Sequence, residues 1–200
     1  MDLENSRITT ISGKQFYLAD PRPEAMDMED VIWALSRICR YGGHLDTKYQ
    51  DAIYSVLQHS VYVLWIMRKL FPHHVDGYLW ALLHDATEAW YGDIVSPLKR
   101  MFPEYRALED CAAVVVQEAF NIPYNPTIGA MVHRADQMCW RLECVLVSAN
   151  PDALLEGEPL SPFTMLEIDP DFRVWSPTEA RARFREELAN LYATQPTLEH

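Results

Sequence analysis

The sequence predicts an all-α, single-domain helical bundle preceded by a small N-terminal β-hairpin. Three features carry this expectation. Apolar residues recur at helical spacing along most of the chain, Gly and Pro separate the periodic segments, and capping residues mark several helix starts. A length of 200 residues with 49% hydrophobic content is enough to bury one full core and short for two, so residues 1–197 are expected to form one domain.

The elements follow in order. Ile8 to Leu18 holds two short β-prone runs either side of Ser12-Gly13, a turn dipeptide. Asp27 can cap a first helix carrying Val31, Ile32, Leu35 and Ile38, with Gly42-Gly43 ending it. A second helix is expected from about Asp51 to Leu70, with Ile53, Val56, Leu57, Val61 and Leu64 facing inward and Pro72 just beyond. The third runs from about Asp76 to Tyr91 and stops at Gly92; Pro97 then opens a short segment containing Lys99. A fourth spans about Pro103 to Phe120, and a fifth runs from near Pro126 to the Asn150-Pro151 break. Asn150 to Trp175 is Pro-rich without clear periodicity, either a lid or a wrapped loop. Ser176-Pro177-Thr178-Glu179 places Ser at N-cap, Pro at N1 and Glu at N3, which predicts a sixth helix to about Tyr192.

Composition excludes several classes. A formal net charge of -12 at pH 7, with no concentrated block of Lys and Arg, argues against a nucleic-acid partner. An anionic small molecule is still compatible, because a bound cation reverses the local potential in a cleft. Cys39, Cys111, Cys139 and Cys144 form no Cys-x-x-Cys pair and fall in segments that read as helical and largely buried. Free thiols in a reducing compartment are expected. Met1 to Arg7 is polar and acidic, unlike a signal peptide, and no stretch approaches about 18 uncharged apolar residues, so the expected location is the cytoplasm with no membrane partner. Leu198-Glu199-His200 reads as a tag remnant.

The chemistry concentrates in His84-Asp85-Ala86-Thr87-Glu88. On a helix His84 and Glu88 stand one turn apart on one face, with Asp85 beside them. Tyr78 to Leu83 is nearly all apolar, so the cluster should be substantially buried. Burying three ionisable groups is costly without compensation, and a divalent cation compensates naturally. Imidazole and carboxylate together suit Mn, Co, Fe, Ni or Zn better than Mg or Ca. His59 on the second helix and Asp136 on the fifth are further candidate ligands, since neighbouring helices can project side chains to a shared centre.

His59, His84-Asp85 and Asp136 on successive helices resemble the HD-domain phosphohydrolase superfamily. Gln58-His59-Ser60, His84-Asp85-Ala86-Thr87-Glu88, Gly92-Asp93-Ile94-Val95-Ser96-Pro97-Leu98-Lys99 and Ala135-Asp136 look like the consecutive motifs of bacterial 5′-deoxynucleotidases. Arg40-Tyr41 falls where that family has Arg-Trp. The similarity spans residues 37–146 and extends to phage HD-domain enzymes that remove triphosphate from dATP. It implies a bundle of the HD-domain type and an enzyme that hydrolyses 5′-phosphates of small nucleotides with metal-activated water. It implies His59, His84, Asp85 and Asp136 as metal ligands, Glu88 as the group that orients or deprotonates water, and Asp93 as a second acid/base group or substrate anchor. Arg40 and Lys99 would hold phosphate oxygens, and a homo-oligomer is expected. Tyr41 departs from the family, whose Trp is thought to crowd a ribose 2′-hydroxyl; a smaller ring with its own hydroxyl leaves strict deoxyribose selectivity open.

Each residue also has a plainer reading. His59 alone would pass for a hydrogen-bonded core histidine, Glu88 for an exposed helix carboxylate, and Asp93 for a cap on the segment near Pro97. Arg40 could serve the carbonyls ending the first helix, and Lys99 could simply face water. His44, after Gly42-Gly43 and close to Arg40, is a candidate substrate contact; His73, His74 and His133 read as structural or exposed. Two substrates stay open, a monophosphate and a triphosphate. The second needs more cations, from Arg37, Arg100, Arg106 or a neighbouring subunit. The alternatives are an HD-type enzyme acting on an alarmone or cyclic nucleotide, and a metal-free nucleotide-binding module.

Overall fold

A computed structural model describes residues 6–158 and 161–194. Most of Met1 to Arg7, and the whole of Leu198 to His200, lie outside the described residues. The fold is all-helical with one small N-terminal hairpin. Strands β1 (Arg7–Thr9) and β2 (Gln15–Tyr17) pair antiparallel with Ile8 opposite Phe16. Gly13 takes φ +83° at the turn. The hairpin tip is pinned by Asp30, whose carboxylate accepts from the Ser12 backbone N–H at 2.8 Å and from its hydroxyl at 2.9 Å.

Helix α1 (Met28–Leu35) begins where expected, with the Asp27 carboxylate accepting from the Glu29 N–H. It ends well before Gly42-Gly43, and α2 (Val56–Leu70) starts at a Ser55 cap, later than Asp51. The reason is tertiary. Cys39 and Ser55 form an antiparallel bridge, with Arg40 N–H donating to Tyr54 O at 2.9 Å and Val56 N–H to Ile38 O at 3.0 Å. Ile53 consequently lies outside the helix and is 37% exposed, against the inward position its spacing suggested.

Expected as one helix, Asp76 to Tyr91 is two. Helix α3 (Tyr78–Leu83) and helix α4 (Glu88–Tyr91) flank a tighter stretch at His84 to Thr87. There the N–H groups of Ala86, Glu88 and Ala89 bond the carbonyls of Leu83, Asp85 and Ala86, the i to i+3 pattern of a 3-10 turn. Gly92 closes α4 at φ +81°, ψ 155°, a region only glycine occupies easily. Four helices follow in the order expected: α5 (Ser96–Lys99), α6 (Pro103–Ala119), α7 (Pro126–Val147) and, after a short α8 (Pro151–Leu154), α9 (Pro177–Thr194). Asn125 caps α7 by accepting from Thr127 and Ile128 N–H, and Ser176 accepts from Glu179 N–H at the start of α9.

Helix α2 is the centre of the bundle and packs against α1, α3, α7 and α9. Its residues Val56 to Leu64 are all buried. The hairpin backs α4: Phe16 is fully buried and stacks on Trp90 at 4.9 Å, and Tyr91 donates to Leu18 O at 2.7 Å. No helix among the described residues is long and apolar enough to cross a membrane. All four cysteines are free, but Cys111 is exposed and Cys39 lies in the bridge rather than a helix, so two of the four differ from the buried helical setting expected.

The described part of the Asn150 to Trp175 connection is wrapped onto the body. Phe163, Met165 and Trp175 are buried, and Gln58 holds the chain there: its amide N–H donates to Arg173 O at 2.8 Å while its oxygen accepts from Trp175 N–H at 2.9 Å. Gln58→Leu would leave both backbone groups without a partner, and the expected loss of unfolding free energy in urea is about 2 to 4 kcal/mol. A loss below about 0.5 kcal/mol would mean this clamp does not hold the segment.

Candidate metal centre

The centre forms where α2, the α3–α4 junction and α7 meet. His59 lies one turn into α2, fully buried, because the Ser55 cap sets the helix phase. The 3-10 turn after Leu83 rotates His84 and Asp85 toward α2, and at three residues per turn it stacks Asp85 beneath Glu88. Asp136 comes from the face of α7 that also carries Ala135 and Cys139.

Both imidazoles are held in the same tautomer from behind. His84 Nδ1 donates to Ala81 O at 2.9 Å, and His59 Nδ1 donates to Glu143 Oε1 at 2.6 Å. Each ring therefore turns its Nε2 inward. His59 Nε2 lies 3.1 Å from Asp136 Oδ1, 3.6 Å from Asp85 Oδ2 and 3.3 Å from His84 Nε2. His84 Nε2 lies 3.1 Å from Asp85 Oδ2 and 3.7 Å from Asp136 Oδ1. Donor atoms bound at about 2.1 Å to one ion stand roughly 3.0 to 3.4 Å apart, so the spacing fits a single divalent cation. The donor chemistry fits it as well: two imidazole nitrogens and the Asp85 carboxylate form one close group, and the Asp136 carboxylate adjoins both imidazoles. His59, Cys139 and Glu143 form a second close group, but there His59 and Cys139 both donate to Glu143 and no donor atom is left over for an ion.

Electrostatics agree with the geometry. Burial pushes the Asp85 carboxyl up, but the charge and hydrogen bond of His84 outweigh it and bring it to about 2. Burial opposes ionisation of Asp136 too, and hydrogen bonds from His59 and His84 hold it well below the usual carboxylate range. His84 moves the other way: burial lowers it, and Asp85 with Asp136 raises it well above the ordinary histidine value. All three shifts run in the direction that favours positive charge between the two aspartates. Exposure is uneven around the centre, with the Asp136 side chain 32% and Asp85 21% exposed against 0% for His59.

Glu88 sits beside Asp85, buried, and its Oε2 has no hydrogen-bond partner. Burial, then Asp85 and Asp93, raise its carboxyl well above the usual range. Burial also raises Asp93, with Asp85 adding and Arg40 opposing. Arg40 reaches the cluster directly, Nη1 at 3.5 Å from Asp85 and Nε at 3.3 Å from Glu143, rather than serving the end of α1. Lys99 does not face water: its Nζ lies 2.6 Å from Glu109 and 3.4 Å from Glu88. Tyr41, at φ +59°, directs its hydroxyl inward to donate to Glu143 Oε2 at 2.9 Å. His44 is exposed on the same loop, next to Gly42.

Sequence reasoning passed over Glu143 and Glu109. The signal for Glu143 was present: a carboxylate two turns after Asp136, on the same helix face and among Met138, Cys139, Leu142 and Cys144. Glu109 offered none, since it sits among the other charged residues of α6.

No protein-family model matches the chain. It is similar to the uncharacterized protein YfdR of Escherichia coli (strain K12), 37% identical over 131 residues that make up 66% of this chain and 66% of that protein. The match thus spans just under two thirds of YfdR. It is also similar to the uncharacterized protein RCAP_rcc00048 of Rhodobacter capsulatus, 29% identical over 178 residues, 87% of this chain and 89% of that protein. Neither name carries an activity.

A chelator-treated sample should regain thermal stability when Co2+ or Mn2+ is added. At a hundredfold excess over the dissociation constant the gain is about 2.7 kcal/mol, read as an upward shift in Tm. Asp136→Ala should abolish that shift; an equal shift in the variant would remove Asp136 from the centre.

Proposed function

We propose that this chain is a divalent-metal-dependent phosphohydrolase that removes 5′-phosphate groups from small nucleotides, deoxynucleotides included, with water as nucleophile. The observation that carries the reading is the convergence of two inward-turned Nε2 atoms on two carboxylates beside a buried Glu88 oxygen without a partner. The motif resemblance, carried by these same residues and by Gly92 to Lys99, supports the same reading. His59, His84, Asp85 and Asp136 would hold the ion, with Mn, Co, Fe, Ni or Zn better suited than Mg. When bound, the ion supplies Lewis acidity, lowering the pKa of water from 15.7 to about 7 and offsetting charge on the phosphoryl oxygens.

The protein's own groups do the rest. Glu88 Oε2, free of other bonds, takes a proton from the attacking water, and burial together with Asp85 and Asp93 raises the proton affinity of its carboxylate. Lys99, braced by Glu109, stands as the counter-ion that steadies Glu88 through that change. Arg40, already at the edge of Asp85, would meet the phosphoryl oxygens, and Asp93, whose carboxyl burial raises, would return a proton to the leaving oxygen. The bond from phosphorus to the 5′-oxygen breaks, giving phosphate and a nucleoside from a monophosphate, or tripolyphosphate and a nucleoside from a triphosphate. The supply of cations favours the monophosphate: Lys99 is held by two carboxylates, Arg37 lies over the Trp33 ring at 4.7 Å, and Arg100 and Arg106 are exposed.

Metal-stripped protein given a panel of ribo- and deoxyribonucleoside mono- and triphosphates with Mn2+, Co2+ or Mg2+ should release inorganic phosphate from monophosphates. Glu88→Gln should lower kcat by about 10^2 to 10^4 while metal binding is retained. Turnover that is equal in Asp85→Ala, or absent with every metal, would sink the hydrolase reading.

A further inference from the structure

We infer that Glu143 is a positioning residue of this centre: it fixes His59 as the Nδ1–H tautomer, so that Nε2 presents its lone pair to the ion, and it anchors Arg40 beside Asp85. The inference rests on the metal-centre reading and extends it to a residue that touches neither ion nor substrate.

The argument begins with donors and acceptors. Glu143 is fully buried, and its neighbours are all donors. Oε1 accepts from His59 Nδ1 at 2.6 Å, Tyr54 hydroxyl at 2.7 Å and Cys139 Sγ at 3.1 Å. Oε2 accepts from the Tyr41 hydroxyl at 2.9 Å and faces Arg40 Nε at 3.3 Å. An ionised carboxylate only accepts, so the proton in the shortest of these bonds must belong to His59 Nδ1. With Nδ1 held protonated by Glu143, Nε2 is the nitrogen left to give up the proton it shares with Asp136 at 3.1 Å and present its lone pair to an ion. A carboxylate behind a ligating imidazole both orients the ring and raises its basicity toward a metal.

The cost of this arrangement argues against a role in packing alone. A fully buried ion needs several compensating bonds, and an apolar side chain at the same place often does as well or better for stability. The chain instead assembles donors from separate places: the loop after α1, the residue before the α2 cap, α2 itself and α7. One of them is bought with backbone strain, since Tyr41 adopts φ +59°, unusual for an aromatic residue, to bring its hydroxyl to Oε2.

The test uses Glu143→Gln, which keeps the shape. Its amide oxygen can still accept from His59, but the charge that raises the basicity of the ring is gone, and the NH2 group then meets the donors Arg40 Nε and Tyr41 hydroxyl. Competition with a chromophoric chelator should show one Co2+ per wild-type chain and a Co2+ dissociation constant raised about 10- to 100-fold in the variant, at unchanged helical circular dichroism. The visible spectrum of the Co2+ protein should change as well. A second measurement needs no substitution: long-range 1H–15N spectra of Zn2+-loaded wild type should show His59 protonated at Nδ1 and metal-bound through Nε2. Affinity within twofold of wild type in Glu143→Gln, or the opposite His59 assignment, overturns this inference alone. A wild type that binds neither Co2+ nor Zn2+ overturns the metal-centre reading and this inference with it.

Discussion

The hydrogen bond from His59 Nδ1 to Glu143 is the contact on which the geometry of the centre depends. Helix α2 passes through the middle of the bundle with Val56 to Leu64 all buried, so an imidazole there is oriented by protein groups and not by water. Without a fixed acceptor behind it, the ring would be free to take either tautomer. Glu143 removes that freedom, and His84 obtains the same result more cheaply from the carbonyl one turn back, Ala81 O. Two solutions to one problem meet across 3.3 Å of space, with the carboxylates of Asp85 and Asp136 on the remaining sides.

Those requirements explain features of the fold that helical packing alone would not produce. In the continuous helix that apolar spacing suggests for Asp76 to Tyr91, Asp85 and Glu88 would share a face but stand about 60° apart around the axis. The 3-10 turn at His84 to Thr87 brings them into register at the cost of poorer hydrogen-bond geometry in the middle of an element. The hairpin and α1 then support the short α4 that results. Phe16 stacked on Trp90, and Tyr91 bonded to Leu18 O, secure a helix too short to be stable by itself.

Legibility followed the range of the interactions involved. The starts of α7 and α9 were readable because Asn125-Pro126 and Ser176-Pro177 act within a few residues of themselves. The end of α1 and the start of α2 were not, because Ile38 and Ile53 continue the helical spacing while a bridge between Cys39 and Ser55 turns the chain. The break in α3 had no Gly or Pro to announce it. Within the centre, His59, His84, Asp85 and Asp136 stood out as ionisable groups in apolar helices, and the structure brings all four together. Glu143 had a comparable signal, yet its partners Tyr41, Tyr54 and Arg40 lie far away in sequence, and no local pattern connects them.

Charge decides what can enter. The chain carries a net charge of -12, and Asp85, Glu88, Asp93, Asp136 and Glu143 gather at one place within it, with Arg40 and Lys99 as the nearby cations. Both cations are already committed, Arg40 to Asp85 and Glu143, Lys99 to Glu88 and Glu109. In that state the mouth beside Asp85 and Asp136 repels a phosphate. A divalent cation between the two imidazoles and the two aspartates changes the balance twice over: it neutralises the ligand carboxylates, and it loosens the hold of Asp85 on the Arg40 guanidinium. On the proposed function, metal binding and anion binding would be one coupled event. Arg40 would turn to an anion only once the metal had taken its carboxylate partner Asp85.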